Sequence, residues 1–98
     1  MVITILEAQV ALEKAALLEE TYQQAIQHLD AGIAQTFLLR SSKDSSLWRI
    51  VTVWKSREAL DAMRRTGDTP RGVLIFRAAE AEPILSMFDV VAHGVASA

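Results

Sequence analysis

The chain has 98 residues, a formal net charge of -2, no cysteine and a hydrophobic fraction of 51%. This length predicts a single domain, residues 1–98 with an ordered core of about 2–93. The mild acidity, without a basic run, excludes the clustered cations that nucleic-acid binding requires, and the lack of cysteine excludes disulfides and thiolate metal sites.

The N-terminal segment MVITILEAQV lacks the basic region and the long apolar core of a secretory signal. No apolar run elsewhere reaches the length that crosses a bilayer. We therefore expect a cytoplasmic protein without a membrane partner. The high apolar fraction of such a small domain predicts instead that part of its surface meets a second copy of the chain.

The segment from Val2 to Val10 is predicted to be a β-strand, whose side chains alternate between two faces. One face carries Ile3, Ile5, Glu7 and Gln9, and the other carries Val2, Thr4, Leu6, Ala8 and Val10. The second set is almost entirely apolar. We expect it to form the sheet face that no helix covers, and Glu7 then lies on the side of the helices.

The next elements are predicted to be a helix, from Glu13 to Leu29, and a strand, from Ile33 to Arg40. Apolar residues, Tyr22 among them, recur at helical spacing in the first segment, and Gly32 can end the helix. The polar segment SSKDSS separates this strand from the following one, Leu47 to Trp54, which indicates a hairpin.

A second helix is predicted from about Arg57 to Arg65, with Ser56 as its N-cap. Thr69-Pro70 is predicted to begin a third helix, as N-cap and first helical residue. The last element is a strand from Ile84 to His93.

The predicted order is strand, helix, strand, strand, helices, strand, which is typical of an α+β fold of the ferredoxin-like βαββαβ type. An antiparallel four-stranded sheet then carries helices on one face and leaves the other face open. Two open apolar faces pressed together would form a dimeric α+β barrel. We therefore expect the partner of this chain to be itself, as a homodimer through the open sheet face.

The segment IVTVWKSREALDAM, together with Glu82-Pro83 before the last strand, resembles the antibiotic biosynthesis monooxygenase (ABM) family. The resemblance extends from Val2 to about His93. It implies a dimeric α+β barrel with a pocket between the sheet and the helices. It also implies oxidation of aromatic polyketides or quinols by molecular oxygen, with no cofactor, since the electron-rich substrate itself reacts with oxygen.

Heme-degrading relatives also belong to the family, and the resemblance allows their functional positions to be compared. Their Asn, Trp and His fall on Glu7, Met63 and Val73 of this chain. Met63 and Val73 cannot supply the same hydrogen bonds or a nitrogen ligand to iron. The replacements argue against heme degradation.

Glu7 is the candidate catalytic base, because a carboxylate at a pocket rim can accept a proton from a phenol. The alternative is a solvated or ion-paired glutamate near a strand end. The candidate substrate-binding residues are aromatic or large apolar side chains, for which packing in the core is the alternative. They are Trp54, Tyr22, Phe37, Met63 and Phe76, with Trp48 as a further candidate.

The arginines and histidines give weaker indications of a binding site. Arg40, Arg49 and Arg77 are candidates for binding an anionic ligand, with surface ion pairs as the alternative. His28 and His93 lack a second ligand at metal-binding spacing, so the sequence predicts no metal site.

Two functional hypotheses remain open. The first is a cofactor-independent monooxygenase that acts with oxygen on a small phenol or quinol. The second is a non-catalytic dimeric module of the same fold that binds a small apolar or aromatic ligand or serves as a scaffold. The second is favoured by the scarcity of polar residues predicted near a pocket.

Overall fold

The computed structural model describes residues 1–97, which form four strands and three α-helices. The elements in chain order are β1 (Val2–Gln9), α1 (Ala15–Ala25), β2 (Ile33–Arg40), β3 (Leu47–Trp54), α2 (Arg57–Arg65), α3 (Arg71–Ala78) and β4 (Ile84–Asp89). Single 3-10 turns at Leu12–Lys14 and Ile26–His28 extend α1 at both ends. Within these residues no helix is long and apolar enough to cross a membrane.

The four strands form one antiparallel sheet with the order β2-β3-β1-β4. The first strand therefore lies in the middle, between β3 and β4. This arrangement confirms the predicted α+β ferredoxin-like fold. Several predicted boundaries need correction. The first helix, predicted from Glu13 to Leu29, is α-helical from Ala15 to Ala25, and β1 ends at Gln9 rather than Val10. The last strand ends at Asp89 rather than His93, and α3 begins one residue later than expected, with Pro70 in the N-cap position.

The helices cover the sheet face that contains Val2, Leu6 and Val10, whose exposed fractions are 1%, 8% and 2%. The prediction that these residues form the uncovered face is therefore wrong. Alternation along β1 showed which side chains share a face, and the more apolar of the two sets is the one buried beneath the helices, where burial of apolar surface is most favourable.

The opposite, open face is apolar as well. It is formed by alternate residues of all four strands, in register across the sheet: Ile3, Ile5, Phe37, Leu39, Val51, Val53, Ile84 and Phe88. Of these, Phe37, Leu39, Ile84 and Phe88 are substantially exposed. We refer to this side of the sheet, which also carries Glu7 and Arg49, as the open face.

The core beneath the helices is divided into two clusters. The larger contains Leu18, Trp48 and Phe76, and the smaller contains Val2, Trp54 and Leu60. Between them, one row of the sheet carries hydroxyl groups on the helix-facing side. This threonine row consists of Thr36, Thr52 and Thr4, which are paired across neighbouring strands.

The turn into β2 brings two backbones close together. Asp30 accepts a hydrogen bond from the backbone N–H of Gly32 at 2.8 Å, and the Gly32 carbonyl accepts one from Lys55 at 2.9 Å. A Cβ atom on Gly32 would lie 2.8 Å from the Cβ of Ala59 in α2. Glycine is therefore required here by the approach of α2.

We expect Gly32→Ala to lower the free energy of unfolding by about 1–3 kcal/mol, because the added methyl group forces α2 away from the turn. Urea denaturation followed by circular dichroism measures the change. Gly94→Ala is the matched control, since its Cβ would meet open space, and it should be within about 0.5 kcal/mol of the unmodified chain. Equal stabilities of the two variants would contradict the proposed close approach.

Candidate functional site

Two clefts open on the helical side of the sheet. The larger, with a volume of about 500 Å³, lies between α1 and the edge strand β2 and is called here the α1/β2 cleft. The smaller, of about 300 Å³, lies beside α2 and is lined by Asp30, Gly32, Ala59, Ala62, Met63 and Thr66. The larger cleft carries more polar groups and is the candidate site.

The walls of the α1/β2 cleft follow from the periods of its two elements. The helix contributes residues spaced by three or four positions, which lie on one side of a helix, and the strand contributes alternate residues, which lie on one side of a sheet. They are Glu19, Tyr22, Gln23 and Ile26 from α1 and Thr36, Leu38 and Arg40 from β2, with Trp48 from β3 behind them.

Tyr22 brings a hydroxyl group to the floor of the cleft. Its side chain is buried, with 6% exposed, and its hydroxyl donates a hydrogen bond to Thr36 Oγ1 at 3.2 Å. Thr36 belongs to the threonine row, so the two hydroxyls form a polar pair among apolar neighbours. A tyrosine hydroxyl can both donate and accept, and this pair can therefore bind the oxygen of a phenol.

Trp48 and Arg40 form the opposite end of the cleft. Trp48 is 4% exposed, and its indole N–H has no hydrogen-bond partner among residues 1–97. The Arg40 guanidinium lies over the indole ring, 5.4 Å from its centroid. The equally buried Trp54 differs, because its N–H donates to Thr4 Oγ1 at 3.1 Å.

Charges of both signs line this cleft. Arg40 is exposed and Glu19 is exposed, and neither takes part in any of the ion pairs found in the described part of the chain. Glu19 precedes Tyr22 by three positions, one helical turn away on the same side of α1. The cleft thus holds a cation, a carboxylate and a hydroxyl pair around an apolar centre.

Glu7 lies elsewhere. It belongs to the open face, where Arg49 donates to it at 2.6 Å across the β1–β3 pair, and its side chain is 38% exposed. The expectation that this side of β1 faces the helices is wrong, because the apolar alternate set occupies that position. Glu7 is therefore remote from both clefts and matches the ion-paired alternative.

The other predicted residues are not gathered into one site. Phe76 is fully buried in the larger cluster and Trp54 lies in the smaller one, so neither lines a cleft. Met63 lines the smaller cleft. Phe37 is among the residues at the α1/β2 cleft, yet strand alternation directs its side chain to the open face, where Val51 is its neighbour. Of the predicted residues, Tyr22, Trp48 and Arg40 have their side chains at the candidate site.

Glu19 and Gln23 line the cleft but were not among the candidates predicted from the sequence. The available signal was the spacing of Glu19, Tyr22, Gln23 and Ile26. It predicts a common side of α1, but not that this side meets an edge strand that leaves part of it uncovered.

Shifted pKa values occur at surface pairs away from the clefts. Lys14 approaches Glu80 at 2.6 Å, and this hydrogen bond lowers the pKa of the Glu80 carboxyl and raises that of Lys14. Arg77 likewise lowers the pKa of Glu82 through a hydrogen bond. These pairs tie the ends of α1 and α3 to neighbouring loops and have no ligand-binding geometry.

In the range 1–97 no group of three or more His, Asp or Glu side chains is placed to hold a metal ion.

Comparisons with known proteins agree with this fold. Residues 1–71 match the family described as antibiotic biosynthesis monooxygenase. A crystal structure assigned to that family from Deinococcus radiodurans superposes with a TM-score of 0.71 and 15% identity, covering 100% of both chains. No curated protein sequence matches the chain significantly.

Two further structures carry functional descriptions. A mutant of SnoaB, a cofactor-independent oxygenase from Streptomyces nogalater, has a TM-score of 0.69 at 18% identity, with 94% of each chain covered. A mutant of MhuD with two manganese protoporphyrin IX molecules per active site has a TM-score of 0.71 at 21% identity, covering 98% of this chain and 100% of MhuD. At these identities the likeness concerns the fold alone.

The hydrogen bond from the Trp54 indole to Thr4 allows the role of the threonine row in stability to be tested. Thr4→Val removes the acceptor of the Trp54 N–H and leaves a buried donor unpaired, so we expect a loss of about 1–3 kcal/mol in unfolding free energy. Thr52→Val, one strand away in the same row, is the control and should lose less, since neither indole donates to it. Thermal unfolding of both variants measures the difference, and a larger loss for Thr52→Val would refute this assignment.

Proposed function

The chain belongs to the antibiotic biosynthesis monooxygenase family, and we propose that it oxidises a small phenol or quinol with molecular oxygen in the α1/β2 cleft. The observation that carries the proposal is the Tyr22–Thr36 hydroxyl pair, which lies in the same cleft as a carboxylate and a guanidinium. A phenolic substrate needs two of these groups directly: a hydrogen-bonding site for its oxygen and a base for its proton.

The substrate ring would lie along the apolar residues of the cleft, Ile26, Leu38 and the edge of Trp48. Its hydroxyl would meet Tyr22 and Thr36. Flat aromatic ligands are well suited to such walls, because they bury a large apolar area at little conformational cost.

Glu19 is the carboxylate of this cleft and is proposed to accept the phenolic proton, while the Tyr22 hydroxyl donates a hydrogen bond to the phenolate that forms. The electron-rich phenolate then reacts with oxygen. For a simple phenol the balance is phenol plus O2 giving quinone plus water: one oxygen atom enters the ring and the other leaves as water. The substrate supplies all the electrons, so the reaction requires no separate reductant. Glu7 has no part in this scheme, because it lies on the open face.

The non-catalytic alternative is favoured by one observation. Glu19 is exposed and the cleft is open along its length, so water reaches the group that would act as base. A module that only binds an aromatic ligand would need the same apolar walls and hydroxyl pair, but no base.

The heme-degrading alternative receives no support from the aligned positions. Met63 packs beside the smaller cluster and Val73 against the larger one, while Glu7 is on the far side of the sheet. The three positions do not meet around one site.

Oxygen consumption measured with a panel of phenols, quinols and dihydroxy-aromatics tests the enzymatic proposal. We expect uptake with at least one compound, and Glu19→Gln should lower its rate by about 100-fold, since the amide cannot accept the proton. Glu20→Gln is the matched control, because Glu20 is the adjacent helix residue and does not line the cleft.

Uptake that Glu19→Gln leaves unchanged would remove Glu19 from the mechanism. Binding of the panel compounds without any oxygen uptake would instead establish the non-catalytic module.

We also propose that the chain forms a homodimer through the open face. Its support is an apolar surface spanning all four strands, with the paired Glu7 and Arg49 as its central charges. In a twofold interface the same patch faces itself, so apolar residues meet apolar residues and each ion pair can meet its counterpart.

Light scattering at micromolar concentration should give twice the mass of the chain. Val51→Lys, in the middle of the open face, should give the monomer mass, because two unpaired ammonium groups would be buried against apolar surface. Leu12→Lys, at an exposed apolar position outside the sheet, is the control and should stay dimeric. A dimer that survives Val51→Lys would contradict this interface.

A further inference from the structure

We infer that the α1/β2 cleft selects aromatic ligands that carry a carboxylate, and that Arg40 and the indole N–H of Trp48 bind that carboxylate. The inference deepens the proposed function by naming a class of substrate. It depends on that proposal only for the identity of the cleft, and its test requires no oxidation.

The first support is the indole N–H of Trp48. Buried donors in folded proteins are almost always paired, and the Trp54 indole follows this rule through Thr4. Trp48 is as deeply buried as Trp54, and its N–H has no acceptor anywhere in residues 1–97. An acceptor supplied by a ligand would remove this deficit.

The second support is the state of Arg40. Arg49, Arg57 and Arg77 each pair with a carboxylate of the chain, and Arg71 donates to the carbonyls of Ala25 and His28. Within residues 1–97 Arg40 takes part in no ion pair, and its guanidinium lies over the face of the Trp48 ring. Since a guanidinium offers five N–H donors in a fixed plane, its hydrogen-bonding capacity is free for an anion.

The third support is the distance between these groups. The guanidinium carbon lies 5.4 Å from the indole centroid, so Arg40 lies over the ring that carries the unpaired N–H. A carboxylate with each oxygen about 2.8 Å from a donor can bridge two such groups.

The rest of the cleft fixes the shape of the ligand. The wall formed by Ile26 and Leu38 accepts an aromatic ring, and the Tyr22–Thr36 pair accepts a polar substituent away from the acid group. Glu19 lines the same cleft and would repel a second carboxylate. The arrangement therefore fits an aromatic monocarboxylate better than a dicarboxylate or a neutral ring.

Calorimetric titration with naphthalene-2-carboxylate and its neutral counterpart 2-naphthalenemethanol tests the selectivity. The carboxylate should bind about tenfold more tightly, as expected for charge-assisted hydrogen bonds at a partly exposed site. Arg40→Gln should abolish this preference by weakening binding of the carboxylate about tenfold relative to the alcohol. Arg65→Gln, which removes an exposed charge outside both clefts, should retain the preference.

The two tryptophans of the chain provide a direct readout by heteronuclear NMR. The naphthoate should shift the Trp48 indole N–H signal strongly, and the Trp54 signal, already paired with Thr4, should stay in place. Equal affinities for acid and alcohol, a preference that persists in Arg40→Gln, or an unchanged Trp48 signal would each overturn the inference.

The outcomes separate this inference from the proposed oxidation. Oxygen uptake with neutral quinols, combined with equal binding of acid and alcohol, would leave the oxidation standing and refute the carboxylate preference. A carboxylate preference without oxygen uptake from any compound would support the carboxylate preference and refute the oxidation.

Discussion

The pairing of β1 with β3 is the constraint on which the rest of the molecule depends. Val2 pairs with Trp54 and Leu6 with Ile50, so the apolar alternate residues of both strands reach the same side of the sheet. Because side chains alternate with a period of two, a shift of one residue would turn every one of them to the opposite face. The helices cover the side that this register makes most apolar, and both clefts and the open face follow from that choice.

The same register explains why the helical side has room for a ligand. One row of the sheet carries Thr36, Thr52 and Thr4 beneath the helices, and it separates two apolar clusters. Hydroxyl groups in such a position need partners. Tyr22 and Trp54 provide two of them, and the Tyr22 pair belongs to a cleft because β2 is an edge strand that α1 covers incompletely.

Much of the fold could be predicted from the sequence. The limits of β2, β3 and α2 agree with the predictions, since period, capping by Ser56 and turn residues act locally. The candidate site was predicted in part: Tyr22, Trp48 and Arg40 were named as candidates and line the cleft, whereas Glu19 and Thr36 were not named. Glu7 and Phe76 were selected by residue type, and the sheet orientation removed one from the helical side while core packing enclosed the other. The family resemblance predicted the fold but not the site, because the matching motifs specify a strand-to-helix junction rather than a reaction.

The sequence by itself determined the order of elements, the antiparallel sheet and the sets of residues that share a face, because these depend on local periodicity and turn chemistry. Only the tertiary structure decided which face the helices cover, that Glu7 pairs with Arg49, and that Arg40 lies over a buried indole whose N–H has no partner within residues 1–97. These are contacts between residues distant in the chain. They depend on the total apolar area that each packing arrangement buries, which no local pattern contains.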